Sequence, residues 1–556
     1  MQTASGNLHL EIQTSRKNPV GILRSSFRDR ASKKISHTQH GRITGCSLDQ
    51  LKMLQAAFRE QVVPSNSSQA LRILGSKEYG ASRALLQLAK DLGLHRILYS
   101  RTEPWVDCAM AMIIGRIIYQ GSKLSLCNQS ANTTLWEQCG ITGRPDVEEH
   151  CYLPLDRLLE RQKAIQKKLA DKHLRNGCLV LYDITSSYFE GEYDNSEIVR
   201  FGYNRDKKNG HKQVVIGLLC SPEGCPVGCE VFCGNTNDAT TVEGKIAELR
   251  EQYGLEKIVF VGDRGMLTEV RLEKLSTVEG LCTISALTHH QMADLQKREI
   301  IQAELFDERN IVEISDPEAP GERYCLCRNP VSAQKETDTR RRLIKLTEEG
   351  LKKIAHYKQK TTVEILGARV GKHLAKYKMG KFFQWQVDAD PNMDAKGKKS
   401  QTHTLKWNLN EEKVTAEQSL DGCYIVRTDV SDADLSKQEV VAGYKALGNV
   451  ERAFRNLKTT QLEIRPVYHK SDERIKAHAF LCMLSYYVQW HMVERVRPLF
   501  ESDGEGKDRR WTVRNVIERL EQISLNRVEL DGVQFDQITE IGAEQKQIID
   551  LLKIAM

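Results

Sequence analysis

Proline is sparse in this 556-residue chain, 13 in all, and aromatic side chains make up only 6% of it. No low-complexity tract is present, which excludes a linker-dominated or disordered protein; 40% hydrophobic and 28% charged residues fit a folded globular one. Long hydrophobic runs are missing too. The most apolar stretches, Trp105 to Tyr119 (interrupted by Asp107 and Arg116) and Ala479 to Trp490, fall short of the roughly 18–20 residues a bilayer requires, so no membrane partner is expected. The first residues show no charged segment followed by an apolar one, and the 15 cysteines, an odd number, follow no repeating frame. A disulfide scaffold is therefore excluded, and a reducing cytoplasm is the expected compartment. No Gly-x4-Gly-Lys-Ser/Thr occurs, so no P-loop is present. There is no internal repeat, and the length calls for three or four modules rather than one.

Net charge is only +7, yet it is unevenly spread. Arg200 to Lys212 holds five basic residues and one acid, and Val441 to His478 eight basic and four acidic. Clustered positive charge suits a polyphosphate partner, because each neutralised phosphate releases a counterion; the alternative is two solvated faces.

Residues 1–45 are polar and basic and read as a loosely ordered arm. From Ser47 to about Leu174 the pattern is helical, giving an all-helical N-terminal region over 46–175. At Cys178 the character changes. Cys178 to Tyr182 and Ile258 to Val261 are unbroken apolar runs, the habit of strands covered on both faces. Val214 to Leu219 and Val227 to Phe232 flank a Ser-Pro-Glu-Gly turn as a hairpin. A helix over Thr240 to Tyr253, a helix over Leu267 to Leu275 and a strand over Leu281 to Ala286 complete an α/β segment, 176–290. Residues 291–420 break the alternation, with strands near Ile311 to Ile314 and Tyr324 to Cys327 and a helix near Arg340 to Ala355, and read as an insertion. The alternation resumes over 421–500 with a strand, Cys423 to Arg427, and a long helix from about Ser436 to Thr459. The tail, 501–556, reads as helical.

Asp183 and Asp263 each follow a buried strand, where ligands bind in open α/β sheets. Taken singly, each is more often a turn-former. Tyr444, Glu451 and Lys458 recur every seven residues, forming one helical stripe about 21 Å long, with Arg452, Arg455 and Lys458 surrounding Glu451. The bland reading is a solvated face beside the apolar seam of Val450, Phe454 and Leu457. Three carboxylates at one point repel by on the order of 4 kcal/mol per pair at about 4 Å, and a divalent cation relieves this. All-oxygen ligands favour Mg²⁺ or Mn²⁺, and a pair of such ions about 3.5–4 Å apart suits phosphodiester chemistry.

Tyr182-Asp183-Ile-Thr-Ser-Ser-Tyr188, Val261-Gly-Asp263-Arg-Gly-Met266 and Tyr444-x6-Glu451-x2-Phe454-Arg455-x2-Lys458 together resemble the three signature blocks of bacterial insertion-sequence transposases of the DDE type. More narrowly they are similar to the subgroup whose last block runs Tyr, Arg, Glu, Lys. Further matching blocks are Gly202-Tyr-Asn-Arg-Asp206 with Gln213, Gly234-Asn-Thr-Asn-Asp238, Asp421-Gly-Cys-Tyr-Ile-Val-Arg-Thr428 and Arg465-Pro-Val-Tyr-His469. The resemblance implies an α/β, RNase H-like catalytic core in which Asp183, Asp263 and Glu451 are catalytic and hold two Mg²⁺ or Mn²⁺ ions. It implies an insertion, typically β-rich, before the Glu; the helical pattern near Arg340 departs from that. It implies hydrolysis of a strand at each transposon end, then attack of the freed 3′-hydroxyl on target DNA. Tyr444 and Lys458 match residues that contact DNA. Arg452, Arg455, Arg205, Lys207, Lys208, Arg264 and Arg465 are further DNA-contact candidates. Where the subgroup has Arg, this chain has Leu447, so that phosphate contact is either missing or supplied by a neighbour such as Arg452 or Arg455. The implied partner is double-stranded DNA, both terminal inverted repeats and target, bound by a homodimer in the bacterial nucleoid. A nuclease of the same fold that stops at hydrolysis, and a catalytically inactive DNA-binding relic, are the alternatives.

Two other groups compete for attention. Cys220, Cys225, Cys229 and Cys233, with His211 nearby, lack paired CxxC knuckles and read as small apolar strand residues rather than a zinc site. His469 and His478 flank the candidate catalytic helix, but His478 within an apolar helix reads as a core histidine. The helical N-terminal region is the expected reader of the inverted repeats, through a helix-turn-helix.

Overall fold

The structure is a computed structural model. It describes all residues except 1–7, 15–18, 29–34, 61–70, 206, 207, 209, 238, 239, 303, 304, 307–310, 357–361, 391–401, 461, 463, 466, 504–508, 531 and 532. The chain divides into two compact units, 1–79 with 523–541, and 80–522 with 542–556.

In the first unit, β1 (Leu8–Gln13), β2 (Val20–Arg28) and β3 (Ile35–Ile43) form an antiparallel sheet in that order. An arm was expected here. Leu8, Leu10 and Ile12 alternate with His9, Glu11 and Gln13, a period-2 pattern that buries Leu10 on the face covered by Leu51 of α1 (Leu48–Glu60). A second sheet joins β4 (Leu71–Glu78) to the strands Ser524–Leu530 and Val533–Ile538. The tail is therefore not all helical. In sequence, Asp531-Gly532 separates its two strands, a hairpin signal set among alternating residues.

The second unit is built on an eight-stranded sheet, ordered β10-β11-β14-β9-β8-β5-β6-β7. Its members are β5 (Leu179–Tyr188), β6 (Gln213–Cys220), β7 (Pro226–Cys233), β8 (Ile258–Val261), β9 (Leu281–Ala286), β10 (Val312–Ile314), β11 (Arg323–Arg328) and β14 (Cys423–Thr428). β5, β8 and β9 are mutually parallel, and the remaining pairings are antiparallel. The hairpin and the strands expected from 178 onward are all present, but β5 runs past Asp183 to Tyr188. Its later residues bury Ile184, Thr185, Ser186 and Ser187, so the strand continues although its apolar run has ended.

Helices Gly80–Asp91 (α2), Pro104–Tyr119 (α3), Leu153–Glu160 (α4) and Gln162–His173 (α5) belong to this same unit, not to a separate N-terminal region. α3 is buried along nearly its whole length, packing on α4 and on the long helix Asp472–Ser502, which also covers β7. A helix enclosed in this way has no face left to read a DNA groove, which removes α3 as a recognition helix.

β10 and β11 extend the main sheet, so the element that departs from it begins near residue 329 rather than 291. It comprises Pro330–Ala355 (α6), Val363–Tyr377 (α7), the hairpin β12 (Phe383–Asp390) with β13 (Thr402–Leu409), and Glu411–Gln418. Leu351, Val370, Leu374, Phe382, Phe383 and Leu405 give it a small core of its own. The Asp421-Gly-Cys block clamps this element to the sheet. Asp421 is buried and accepts hydrogen bonds from Arg340 and, at 2.7 Å, from Thr337, both on α6. Burial alone pushes its carboxyl up, but these donors more than offset that and hold it below the ordinary value. Gly422 has φ of 69°, and a Cβ there would lie 2.3 Å from the Asn329 carbonyl oxygen. Removing one partner of such a pair strands a buried charge. Arg340→Ala is expected to cost about 3–5 kcal/mol in chemical denaturation, and Asp421→Asn less, since it leaves no buried anion.

Candidate active site

Asp183 and Asp263 are brought together by strand register. Leu181 pairs with Val261 between parallel β5 and β8, so the two aspartates, each two residues further on, stand at the same level of the sheet. The Asp183 Oδ1 accepts from the Ile184 amide and the Asp263 Oδ1 from the Arg264 amide, both at 2.8 Å. Glu451 comes from Leu447–Arg455 (α9), which packs on β5 through its buried Val450, Ala453 and Phe454. Tyr444 lies in the last turn of the preceding helix Lys437–Lys445 (α8), whose start is fixed by a capping box between Ser436 and Glu439. The long helix expected over 436–459 is thus divided at Ala446.

Asp183, Asp263, Tyr444 and Glu451 all line one cleft of ≈ 420 Å³. Asn329, Ser332 and Glu336 of the α6 end, Gly422, Cys423 and Tyr424 at β14, and Lys445, Leu447 and Gly448 complete its wall. Burial, with the charges of Asp263 and Glu451 adding to it against the Arg205 charge, pushes the Asp183 carboxyl up to about 6. Burial likewise raises the Tyr444 phenol to about 12, with Asp263 adding to it, so the hydroxyl keeps its proton at neutral pH.

The remaining candidates are dispersed. Lys458 lies in the π-helical turn Asn456–Thr460, whose wider turns carry it off the 3.6-residue stripe, and it does not line the cleft. Arg452 bonds back to Asn449, and neither it nor exposed Arg455 lines the cleft. Arg205 is held by its amide on the Ser186 hydroxyl at 3.1 Å. Arg465 and Lys208 both lie over the Tyr188 ring, at 4.4 and 5.9 Å, where His211 also stacks. Arg264 is exposed beside Asp263; Lys207 lies outside the described residues.

The glycine blocks have a steric reason. Gln213 Nε2 donates to the Tyr203 and Gly234 carbonyls at 3.0 and 2.8 Å, and a Cβ on Gly202 would lie 1.9 Å from the Gly234 oxygen. The loop carrying Arg205 is thereby pressed against the end of β7. His478 is buried, facing Lys123 at 2.6 Å and the Ile464 carbonyl at 3.1 Å, and His469 is buried against Tyr152; neither lines the cleft. All fifteen cysteines are free. Among the described residues no helix is long and apolar enough to cross a membrane.

The model of the transposase DDE domain family matches residues 176–488, more than half of the chain. The chain belongs to this family. It is a DDE-type insertion-sequence transposase, and its partner is DNA. No curated protein matches the chain. The family as a whole uses divalent metal ions, and the transposase's cleft fits them in donor chemistry: its carboxylates are hard oxygen ligands. Among the described residues, Asp183, Asp263 and Glu451 do not form a cluster with ligating atoms all within 4.8 Å of one another.

The sequence reading missed Lys445, which lines the cleft two positions before Leu447, and Glu336, a fourth acidic side chain there. It also passed over the most basic part of the transposase. Residues 330–381 hold fourteen basic and five acidic side chains, an imbalance countable from sequence that was hidden by treating 291–420 as one insertion.

Without divalent ions, the raised Asp183 carboxyl makes the folded state the better proton binder between 3.8 and about 6. Stability is therefore expected to fall as pH rises through that window, by on the order of 3 kcal/mol in chemical denaturation, and Asp183→Asn to abolish the slope. Gly234→Ala, whose Cβ would meet the Gln213 carbonyl oxygen at 1.9 Å, is expected to cost about 2–3 kcal/mol in the same measurement.

Proposed function

We propose that the transposase cleaves strands at the ends of its element and joins the freed 3′-hydroxyl to target DNA, as a member of the subgroup with the Tyr, Arg, Glu, Lys signature. The observation that carries this reading is the meeting, in one cleft within the matched domain, of carboxylates from β5, the end of β8 and α9. The order β7-β6-β5-β8-β9, an antiparallel meander followed by two parallel strands, supports an RNase H-like core, with 329–420 as its insertion.

Asp183, Asp263 and Glu451 would hold two Mg²⁺ or Mn²⁺ ions, which when bound supply Lewis-acid charge to the phosphodiester and lower the pKa of water. The protein's own groups position the DNA. Tyr444, protonated at neutral pH, donates its hydroxyl to a phosphate oxygen at the cleft. Lys445 supplies the cationic contact that Leu447 does not. Arg205, Arg264 and the pair Arg465 and Lys208 neutralise phosphates leading to the cleft, and the basic residues of 330–381, a segment that begins at the cleft wall, add further positive charge for the DNA backbone. Two element ends require two such clefts, so a homodimer assembled on DNA in the nucleoid completes the reading, with the basic residues of 1–45 contributing to end recognition.

Incubating full-length protein with element-end DNA, target plasmid and Mg²⁺ is expected to give joined products. Products that are nicked but never joined would establish the endonuclease alternative instead. Asp183→Asn, Asp263→Asn and Glu451→Gln are each expected to lower cleavage at least about 10²-fold while end binding in a mobility-shift assay persists.

A further inference from the structure

His173, Cys225 and His491 come from three distant parts of the chain and meet outside the carboxylate cleft. His173 is the last residue of α5, Cys225 precedes β7 in the turn after β6, and His491 lies on the helix Asp472–Ser502. Their ligating atoms all fall within 4.8 Å of one another, and among the described residues this is the cluster of three or more His, Cys, Asp or Glu side chains that does so. Cys225 Sγ stands 4.0 Å from His491 Nε2. Cys225 is buried, whereas the two histidines are half-buried, so the cluster has a closed floor and an open side.

We propose that His173, Cys225 and His491 form a zinc site, closed by water on the open side. The donor set is the argument. One thiolate and two imidazoles are borderline-soft ligands that favour Zn²⁺, in contrast to the all-oxygen cleft. Bond lengths of about 2.3 Å to sulfur and 2.0–2.1 Å to nitrogen put tetrahedral ligands roughly 3.5 Å apart, so the side chains close by about an ångström, within reach of small ring rotations. The rings are already oriented by neighbours: the Tyr487 hydroxyl meets His173 Nε2 at 3.0 Å, and Tyr487 and Trp490 stack edge-on against His491. On binding, the Cys225 S–H bond breaks, its proton passes to solvent and a Zn–S bond forms.

A plain aromatic cluster would account for the stacked rings, but it places no demand on a thiol at the centre. The site also has mechanical sense. Gly224, φ 90°, precedes Cys225, and a Cβ there would lie 2.7 Å from Asn449 Cβ on α9. The turn that the ion would pin thus abuts the helix two residues before Glu451, making Cys225 a positioning residue for the cleft.

The probe is Co²⁺ alone, titrated into full-length protein stripped with chelator. The expected result is one equivalent showing thiolate-to-cobalt charge-transfer absorption, bleached by Zn²⁺, lost in Cys225→Ser and retained in Asp183→Asn, which alters only the carboxylate cleft. Should Cys225→Ser fail to fold, His491→Ala is expected to weaken Co²⁺ binding at this band at least about tenfold. Wild-type protein without the charge-transfer band, or a band that survives Cys225→Ser or is unchanged in His491→Ala, overturns the proposal.

Discussion

Burial of one carboxylate in a cleft that two others line is the constraint around which the catalytic unit is organised. Asp183, Asp263 and Glu451 line a single cleft, and the consequence is visible in the Asp183 carboxyl, lifted to about 6 by burial and by its acidic neighbours. Folding alone does not favour such an arrangement. It persists because the scaffold around it is rigid: the parallel pairing of β5 with β8 sets the level of the two aspartates, and the apolar face of α9 on β5 sets that of Glu451. The cost of keeping a buried carboxylate charged there is relieved by cations or positively charged groups that enter.

The second structural demand is that the wall opposite the sheet stay in place. Asn329, Ser332 and Glu336 reach the cleft from the start of α6, whose position depends on the buried Asp421 and its bonds to Arg340 and Thr337. The Asp421-Gly-Cys block therefore works as a hinge-pin rather than as chemistry: the carboxylate anchors the helix, and Gly422 lets two backbones approach to a distance no side chain would allow. Gly202 and Gly234 act in the same way on the opposite side, pressing the Arg205 loop onto the sheet.

Much of the sheet was legible because burial on both faces leaves unbroken apolar runs, as at Ile258 to Val261, and because Ser-Pro-Glu-Gly marks a turn. The first 45 residues were misread as an arm although Leu8 to Gln13 alternates cleanly; six residues of alternation are easily lost among basic ones. The pairing of β4 with the strand Ser524–Leu530 was out of reach, since no local pattern encodes a partner some 450 positions away. Lys458 followed the heptad stripe on paper, but a π-helical turn changes the period where the stripe was extrapolated.

By itself the sequence determined the chemistry that this protein carries: which acids are present, in which blocks, and a set of local periods sufficient to place them on strands and a helix. Those properties are encoded within a few residues of each position. Only the tertiary structure decided which groups meet, that Lys445 rather than Arg452 or Arg455 faces the cleft, that β10 and β11 join the main sheet, and that Cys225 lies beside two histidines. Such outcomes depend on strand register and helix phase summed over the whole chain, and a shift of one residue in either turns a side chain away from its neighbours.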